Sequence, residues 1–308
     1  MIRTRHPHCL YDAVSKTLQQ AYSLDLDQSL IYHLFGGFCF SVEDLKNDKV
    51  PSYTTRGNQL QYSKFETLTG IRVAQQKDVL EERAWKTTMH NLAENGYQLV
   101  LTNCFFLPYD TANYKKNTEN HLVLIHSYDE EQETFCVSDS CFDRVTIDRE
   151  ALMKARLKTL PSYNKYQSLK VEPKEVRDRE TILELIRRDV IAQAADFETQ
   201  SDFDVFRRYL HEIEAAEGII RKVACNNLCK DLHHPSSVVT TRELMGDSLD
   251  ILFPGLEHGY QELSAAWASL STNIVRWSHG TVELAALLEM FEQIAAQELA
   301  CNRIVKEL

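Results

Sequence analysis

The sequence has 308 residues, a formal net charge of −11, 44% hydrophobic residues and 26% charged residues. This length predicts two domains, and the composition is that of a folded globular protein, which excludes intrinsic disorder. The acidic balance argues against nucleic acid as the main partner. The sequence contains no GxxxxGK[ST], GxGxxG, GxSxG or HExxH pattern. Common nucleotide-binding, serine hydrolase and zinc peptidase motifs are therefore excluded.

The first 20 residues lack the apolar stretch of a signal peptide, and no run of 18 apolar residues occurs anywhere. The eight cysteines are scattered without a CxxC pair. A chain of this size does not need disulfides for stability, so this pattern is typical of reduced thiols. We expect a cytoplasmic protein that does not enter a membrane.

The first half of the chain mixes helices and strands. Apolar residues recur every four positions over residues 10–22, which predicts a helix, and a second helix over 78–95 ends at Gly96. Residues 97–107, 121–128 and 134–139 are short, apolar and rich in β-branched or aromatic types, as strands are. A polar turn separates the last two strands, so they should form a hairpin.

The second half is predicted to be helical. Apolar spacings of three and four residues predict helices over 180–197, 202–231, 257–277 and 281–307. Residues 151–179 lack periodicity and are predicted to be a linker. The interpretation is an α+β protein, with an α+β domain over 1–150, a basic linker over 151–179 and an all-helical domain over 180–308.

Cys9 is the first candidate for chemistry because it immediately precedes the first predicted helix. The positive end of the helix dipole and the unpaired N–H groups there stabilise a thiolate, and neighbouring His6 and His8 add to this effect. The same N–H groups are possible donors to an oxyanion. The alternative is a small buried hydrophobic residue at a helix start.

His121 opens one strand of the predicted hairpin, and Asp139 closes the other. The turn between them makes the two residues diagonal neighbours on one face. A thiol, a base and a carboxylate that orients the base are the groups that cysteine nucleophilic catalysis requires. Asp143 is the alternative carboxylate if the register slips, and His126 is the alternative base. A solvent-exposed histidine and a turn-forming aspartate would be the non-catalytic explanation.

Three segments together resemble the N-terminal domain of the butirosin-biosynthesis protein H family. They are His8-Cys9 at the head of a helix, YQLVLTNCFFLPYD at 97–110, and HLVLIHSYD with FCVSD at 121–139. Phe35-Gly36-Gly37-Phe38 is similar to a glycine-containing stretch of that family, and 266–270 and 294–298 resemble its helical domain. The resemblance implies a papain-like or C39-like cysteine-hydrolase-type fold for the N-terminal domain.

The resemblance also implies acyl transfer rather than proteolysis. An acyl group would arrive as a thioester on an acyl or peptidyl carrier protein, move to Cys9, and pass to a small-molecule amine in secondary-metabolite biosynthesis of an antibiotic-like peptide or aminoglycoside. His121 would be the base and Asp139 its orienting group. No cofactor of the chain's own is expected, since phosphopantetheine belongs to the carrier. A hydrolase with the same three residues and a non-catalytic binding protein of the same fold are the alternatives.

The sequence departs from the expected pattern at two points. Asn103 lies where an aspartate is expected, and no glutamine precedes Cys9 as a side-chain oxyanion donor. His6, His8, Asn103 and Tyr109 are therefore weaker candidates for substrate binding or oxyanion stabilisation.

The segment 151–179 carries eight basic and three acidic side chains in an otherwise acidic chain. Lys154, Arg156 and Lys158 are accordingly predicted to dock an acidic carrier protein by charge complementarity, with a solvated connector as the alternative.

The remaining patterns are interpreted as structural. Cys225, Cys229 and His233 have helical spacing but lack a fourth ligand, so no metal site is predicted. The last helix could also support a homodimer.

Overall fold

A computed structural model describes residues 8–47, 49–58, 60–160, 165–197 and 202–308. The first half of the chain contains five helices and eight strands in these described residues: α1 (Cys9–Tyr22), α2 (Gln28–Leu34), β1 (Phe38–Asp44), β2 (Tyr53–Asn58), α3 (Tyr62–Thr69), β3 (Ile71–Lys77), α4 (Glu81–Asn95), β4 (Gln98–Asn103), β5 (Asn120–Asp129), β6 (Thr134–Ser138), β7 (Val145–Asp148), α5 (Arg149–Leu157) and β8 (Gln167–Pro173). Six helices follow: α6 (Arg179–Phe197), α7 (Asp202–Ala215), α8 (Gly218–Leu232), α9 (Val238–Leu252), α10 (Tyr260–Ser278) and α11 (Leu284–Lys306). A sheet-containing N-terminal region followed by an all-helical C-terminal region confirms the predicted α+β fold class.

The chain forms two compact units. The sheet unit comprises described residues of 8–31 and 62–179, and the helical unit comprises those of 32–61 and 180–308. The chain passes from the sheet unit to the helical unit at residue 180, and residues 32–61 lie in the helical unit although the sequence assigned them to the N-terminal domain. The reason is that the antiparallel β1–β2 hairpin packs against α7, α8 and α9.

The sheet unit is built on six strands in the order β3-β8-β4-β5-β6-β7, with every neighbouring pair antiparallel. One apolar core packs strand residues Val100, Val123 and Phe135 against Leu152 and Ala155 of α5. The amphipathic helix α1 contacts β5. β5 and β6 form the predicted hairpin across the polar turn, with the predicted register at the end that carries His121 and Asp139.

Residues 151–179, which were predicted to be a linker, are part of the sheet unit. They contain most of α5 and the whole of β8, which lies between β3 and β4 in the sheet. Pro173 is the last residue of β8, and a strand end tolerates the missing N–H group. β8 buries Ser168, Leu169 and Val171, so sheet pairing rather than periodicity holds this segment in place.

A glycine joins α3 to β3 at a place where a side chain does not fit. Gly70 has a φ of +72°, and a Cβ atom there would lie 1.7 Å from the carbonyl oxygen of Glu175. The Gly70 carbonyl in turn accepts hydrogen bonds from the N–H groups of Lys174 and Glu175, at 2.9 and 3.0 Å. This close backbone approach fixes the end of β8 against the start of β3.

The helical unit has an aromatic core and a buried ion pair. Phe206, Trp267 and Phe291 pack against one another with ring centroids 4.7–5.9 Å apart. Arg242 donates to both carboxylate oxygens of Glu298 at 2.8 and 3.0 Å, and both side chains are fully buried. Trp267 also donates to Glu298, at 2.8 Å, so the buried carboxylate is well satisfied.

Candidate active site

The structure places Cys9 at the first residue of α1. His8 is the N-cap, and its Nδ1 accepts a hydrogen bond from the Leu10 N–H group at 3.3 Å. The His8 ring also stacks on Tyr11, with centroids 4.0 Å apart. Buried Leu10 and Val14 anchor the helix by its apolar face, so the thiol is held at a fixed helix N-terminus.

The β5–β6 hairpin brings His121 and Asp139 together. Nε2 of His121 lies 3.2 Å from Oδ2 of Asp139, and their side chains are 16% and 1% exposed. The other oxygen, Oδ1, accepts from the N–H groups of Cys141 and Phe142 at 2.8 and 2.9 Å. The carboxylate is therefore fixed by its own turn and presents one oxygen to the imidazole.

The His121 imidazole acts on the Cys9 thiol and lowers its pKa, so Cys9, His121 and Asp139 lie in one cluster. Because Nε2 faces Asp139, Nδ1 is the ring nitrogen that remains for the thiol. Burial by itself would raise the pKa of Cys9. The contact with His121 and its positive charge, together with the N–H groups of Leu122 and Leu10, outweigh burial and lower that pKa below its ordinary value.

The pKa of His121 is raised and the pKa of Asp139 is lowered, and both shifts favour the charged form of the group. Burial opposes the charged imidazole, but hydrogen bonds and charge from Asp139 and Cys9 raise the pKa of His121 to about 10. Burial likewise disfavours the Asp139 carboxylate, yet His121 and the backbone donors lower its pKa. The three pKa shifts all act in the direction that favours a thiolate–imidazolium pair beside a carboxylate.

Two further side chains border this arrangement without competing with it. The Tyr109 hydroxyl is buried, and burial together with the Asp139 carboxylate holds its pKa well above the ordinary range, so it stays protonated. Burial and the negative charges of Asp110 and Cys9 raise the pKa of Cys104 to about 12. Of these two thiols, Cys9 is therefore the one whose pKa is lowered.

The other weaker candidates have different positions. His6 lies outside the described residues. His8 caps α1, so its ring supports the helix start. Asn103 is buried, where its side chain accepts from the Phe105 N–H group and donates to the Lys158 carbonyl at 2.8 Å. These bonds cap a short 3₁₀ turn and use both ends of the amide.

The alternative base and carboxylate, His126 and Asp143, are connected to each other through Ser138. Nε2 of His126 is 2.7 Å from the hydroxyl of Ser138, which donates to Asp143 at 2.8 Å. Burial and the charge of Arg144 lower the pKa of His126, so a cationic state is disfavoured. The histidine that acts on the Cys9 thiol is His121, and Asp139 is the carboxylate that contacts His121.

Two residues near the site were not found by sequence reasoning. Gln28, the first residue of α2, accepts a hydrogen bond through Oε1 from the His8 N–H group at 3.3 Å. Lys16 donates to the Asp139 carbonyl at 2.6 Å and pairs with Asp12 at 2.8 Å. Lys16 lies two turns after Cys9 on α1, which is a usable signal, whereas no spacing rule connects Gln28 to this site.

The predicted docking residues differ in exposure. Lys154 and Lys158 are exposed, with the Lys154 ammonium 5.5 Å from the Phe106 ring centroid. Arg156 is fully buried and donates to Thr88 at 2.9 Å, so it is removed from the predicted docking surface. The correction follows from the helix period, because 156 falls on the face of α5 that packs inward with Leu152.

No metal-binding group of three or more His, Cys, Asp or Glu side chains occurs in the described part of the chain. Cys225 is buried, and Cys229 accepts a hydrogen bond from Ser271 at 3.0 Å. Among the described residues, none of the helices has the length and apolarity needed to cross a membrane.

The sequence was compared with known families and proteins. Residues 8–140 match the family described as butirosin biosynthesis protein H, N-terminal. This match confirms the predicted resemblance to the butirosin biosynthesis protein H-like family, and it covers Cys9, His121 and Asp139. No curated protein matches the sequence.

Proposed function

From the match of residues 8–140 to the butirosin biosynthesis protein H family, we propose that this protein is a biosynthetic enzyme that transfers an acyl group through Cys9. The family supports a role in butirosin-type antibiotic biosynthesis. The observation that carries the specific chemistry is the contact of the Cys9 thiol with His121, which Asp139 holds at 3.2 Å. The proposed fold of the catalytic region is papain-like or C39-like.

In the first step, the Cys9 thiolate attacks the carbonyl carbon of an acyl thioester. The carbon–oxygen double bond becomes a single bond to an oxyanion, which then collapses and expels the donor thiolate. His121 gives that thiolate its proton, and acyl-Cys9 remains. In the second step an amine attacks acyl-Cys9, His121 accepts a proton from the amine, and the Cys9 thiolate leaves.

Thioester exchange is nearly balanced in free energy, whereas amide formation is downhill. The site must therefore mainly position the amine and keep water from acyl-Cys9. The proposed acyl donor is a carrier protein whose phosphopantetheine arm bears the thioester, and the proposed acceptor is a small-molecule amine. No cofactor of the chain itself enters these steps.

The test is intact-protein mass spectrometry after mixing the protein with an acyl N-acetylcysteamine thioester, a small analogue of the phosphopantetheine arm. One acyl group should appear on the wild type and disappear when an amine is added. Cys9→Ser should remain unacylated, whereas Cys141→Ser, which removes an exposed cysteine, should behave as wild type. Acyl-Cys9 that is released by water and never by amines would favour a hydrolase, and no acylation would favour a binding protein.

We also propose that the carrier docks on Lys154 and Lys158, whose exposed ammonium groups suit an acidic partner. Reversing both to glutamate should raise the KM for the acyl-carrier donor and leave turnover of the small thioester unchanged. Lys222→Glu with Lys230→Glu is the matched charge control at exposed positions of the helical unit. An unchanged KM for the carrier in the Lys154/Lys158 variant would refute the docking surface.

A further inference from the structure

Acyl transfer through Cys9 needs hydrogen-bond donors for the oxyanion that forms on the substrate carbonyl. Such donors are effective because they are in place before the charge develops, in a site with little water. The start of α1 supplies the Cys9 N–H group. The residues before Cys9 contain no glutamine or asparagine, and the His8 ring caps the helix. A carboxamide donor would therefore come from another segment.

Gln28, from another segment, contacts the backbone at the start of α1. Its Oε1 accepts from the His8 N–H group at 3.3 Å, which places the carboxamide beside the residue that directly precedes Cys9. Because the oxygen is bound there, the Nε2 amine is the end of the carboxamide that remains to donate. The structure gives this amine no acceptor among the described residues.

The segment that carries Gln28 is fixed on both sides. The N–H groups of Leu30 and Ile31 both donate to the Asp27 carbonyl at 3.0 Å, which closes the first turn of α2. The Ser15 hydroxyl donates to the Leu26 carbonyl at 2.5 Å and so ties this segment to α1. The half-buried Gln28 side chain is thereby held next to the N-terminus of α1 rather than free in solvent.

We propose that Gln28 is a catalytic residue that donates a hydrogen bond from Nε2 to the oxyanion formed when Cys9 attacks the acyl carbonyl. The Cys9 N–H group is the second donor. The electron pair displaced from the carbonyl rests on this oxygen, between the two donors, until the thioester C–S bond breaks. This role rests on the proposed acyl transfer, and it adds a residue 19 positions after the nucleophile.

Two reactions of the same thiol separate this role from a structural one. Alkylation of Cys9 by iodoacetamide displaces iodide and forms no oxyanion, whereas acylation by an N-acetylcysteamine thioester does. The ratio of the two rates, measured at one pH, cancels the fraction of thiolate. Gln28→Glu keeps an acceptor for the His8 N–H group but loses the amine, and Gln28→Ala loses both.

In both variants the ratio of acylation to alkylation should fall by about 10²–10³-fold, the loss typical of a removed oxyanion donor. Gln19→Glu makes the same charge change at an exposed position of α1 and should leave the ratio unchanged. A wild-type ratio in Gln28→Glu would overturn the proposal and leave Gln28 as a structural acceptor. Alkylation of wild-type Cys9 without any acylation would instead refute the acyl transfer itself, and the role of Gln28 with it.

Discussion

Replacing Asp139 with asparagine changes one charge in the site and leaves the side-chain size unchanged. Oδ1 of the asparagine still accepts from the N–H groups of Cys141 and Phe142. The amide NH₂ group then lies where Oδ2 was, facing Nε2 of His121 at about the same distance. Two donors cannot share that contact, so Nε2 must become an acceptor and the imidazole must be neutral.

The size of the effect follows from the site. The pKa of His121 rises from its ordinary 6.5 to about 10, which corresponds to about 5 kcal/mol in favour of the imidazolium form. Asp139 and Cys9 share this stabilisation. An adjacent carboxylate typically accounts for about 1–3 pKa units. The Asp139→Asn substitution should therefore raise the pKa of Cys9 and slow alkylation of Cys9 at about pH 6 by roughly 10–10³-fold.

The assay is the rate of iodoacetamide labelling of Cys9 against pH, followed by mass spectrometry. Asp143→Asn is the matched control, because it makes the same chemical change four residues away. Asp143 accepts a hydrogen bond from Ser138. The control substitution should leave the labelling profile of Cys9 unchanged. An unchanged profile in Asp139→Asn, or a larger shift in Asp143→Asn, would refute the assignment of Asp139 as the orienting carboxylate.

Three other predictions concern pH and stability. The rate of acyl transfer by the wild type should rise with pH as the Cys9 thiol ionises, at a pH below the ordinary thiol pKa, and should fall near pH 10 as the His121 imidazolium deprotonates. The rate of Cys9 alkylation, measured over the same pH range, should not fall near pH 10. Gly70→Ala should lower the free energy of unfolding in urea by about 2–5 kcal/mol, and Gly96→Ala should lower it by about 1–2 kcal/mol. Both glycines have a positive φ, but only a Cβ atom at residue 70 would clash with a carbonyl group, so equal losses would contradict the clash. Glu298→Ala, which breaks the buried pair with Arg242, should lower the free energy of unfolding by about 3–5 kcal/mol. Glu292→Ala, which breaks an exposed pair with Arg207, should lower it by less than about 1 kcal/mol, and comparable losses would exclude a special role for burial.

Much of the local architecture was predictable because it depends on neighbours in the chain. Helix α1 follows from an apolar repeat of four residues, and α4 ends at Gly96, whose φ of +74° suits a glycine. The β5–β6 hairpin follows from two apolar segments around a polar turn, and its register places His121 near Asp139. These features need only side-chain periodicity and turn chemistry.

Other features required the folded chain. Helix α9 was not predicted, because its residues are buried nearly all round and show little amphipathic contrast. The predicted helix over 202–231 is two helices, α7 and α8, which are separated before Gly218. β8 lacks a strong strand pattern, and its place in the sheet depends on pairing with β3, almost 100 residues away.

The sequence by itself determined the fold class, the helix start that carries Cys9, and the hairpin that joins His121 to Asp139, because each depends on residues close in the chain. Only the tertiary structure decided that α1 meets β5, so that Cys9 reaches His121 across more than 100 residues. It also decided that Arg156 is buried and that Gln28 lies beside His8. Contacts between distant segments result from the packing of whole elements, and no local spacing encodes them.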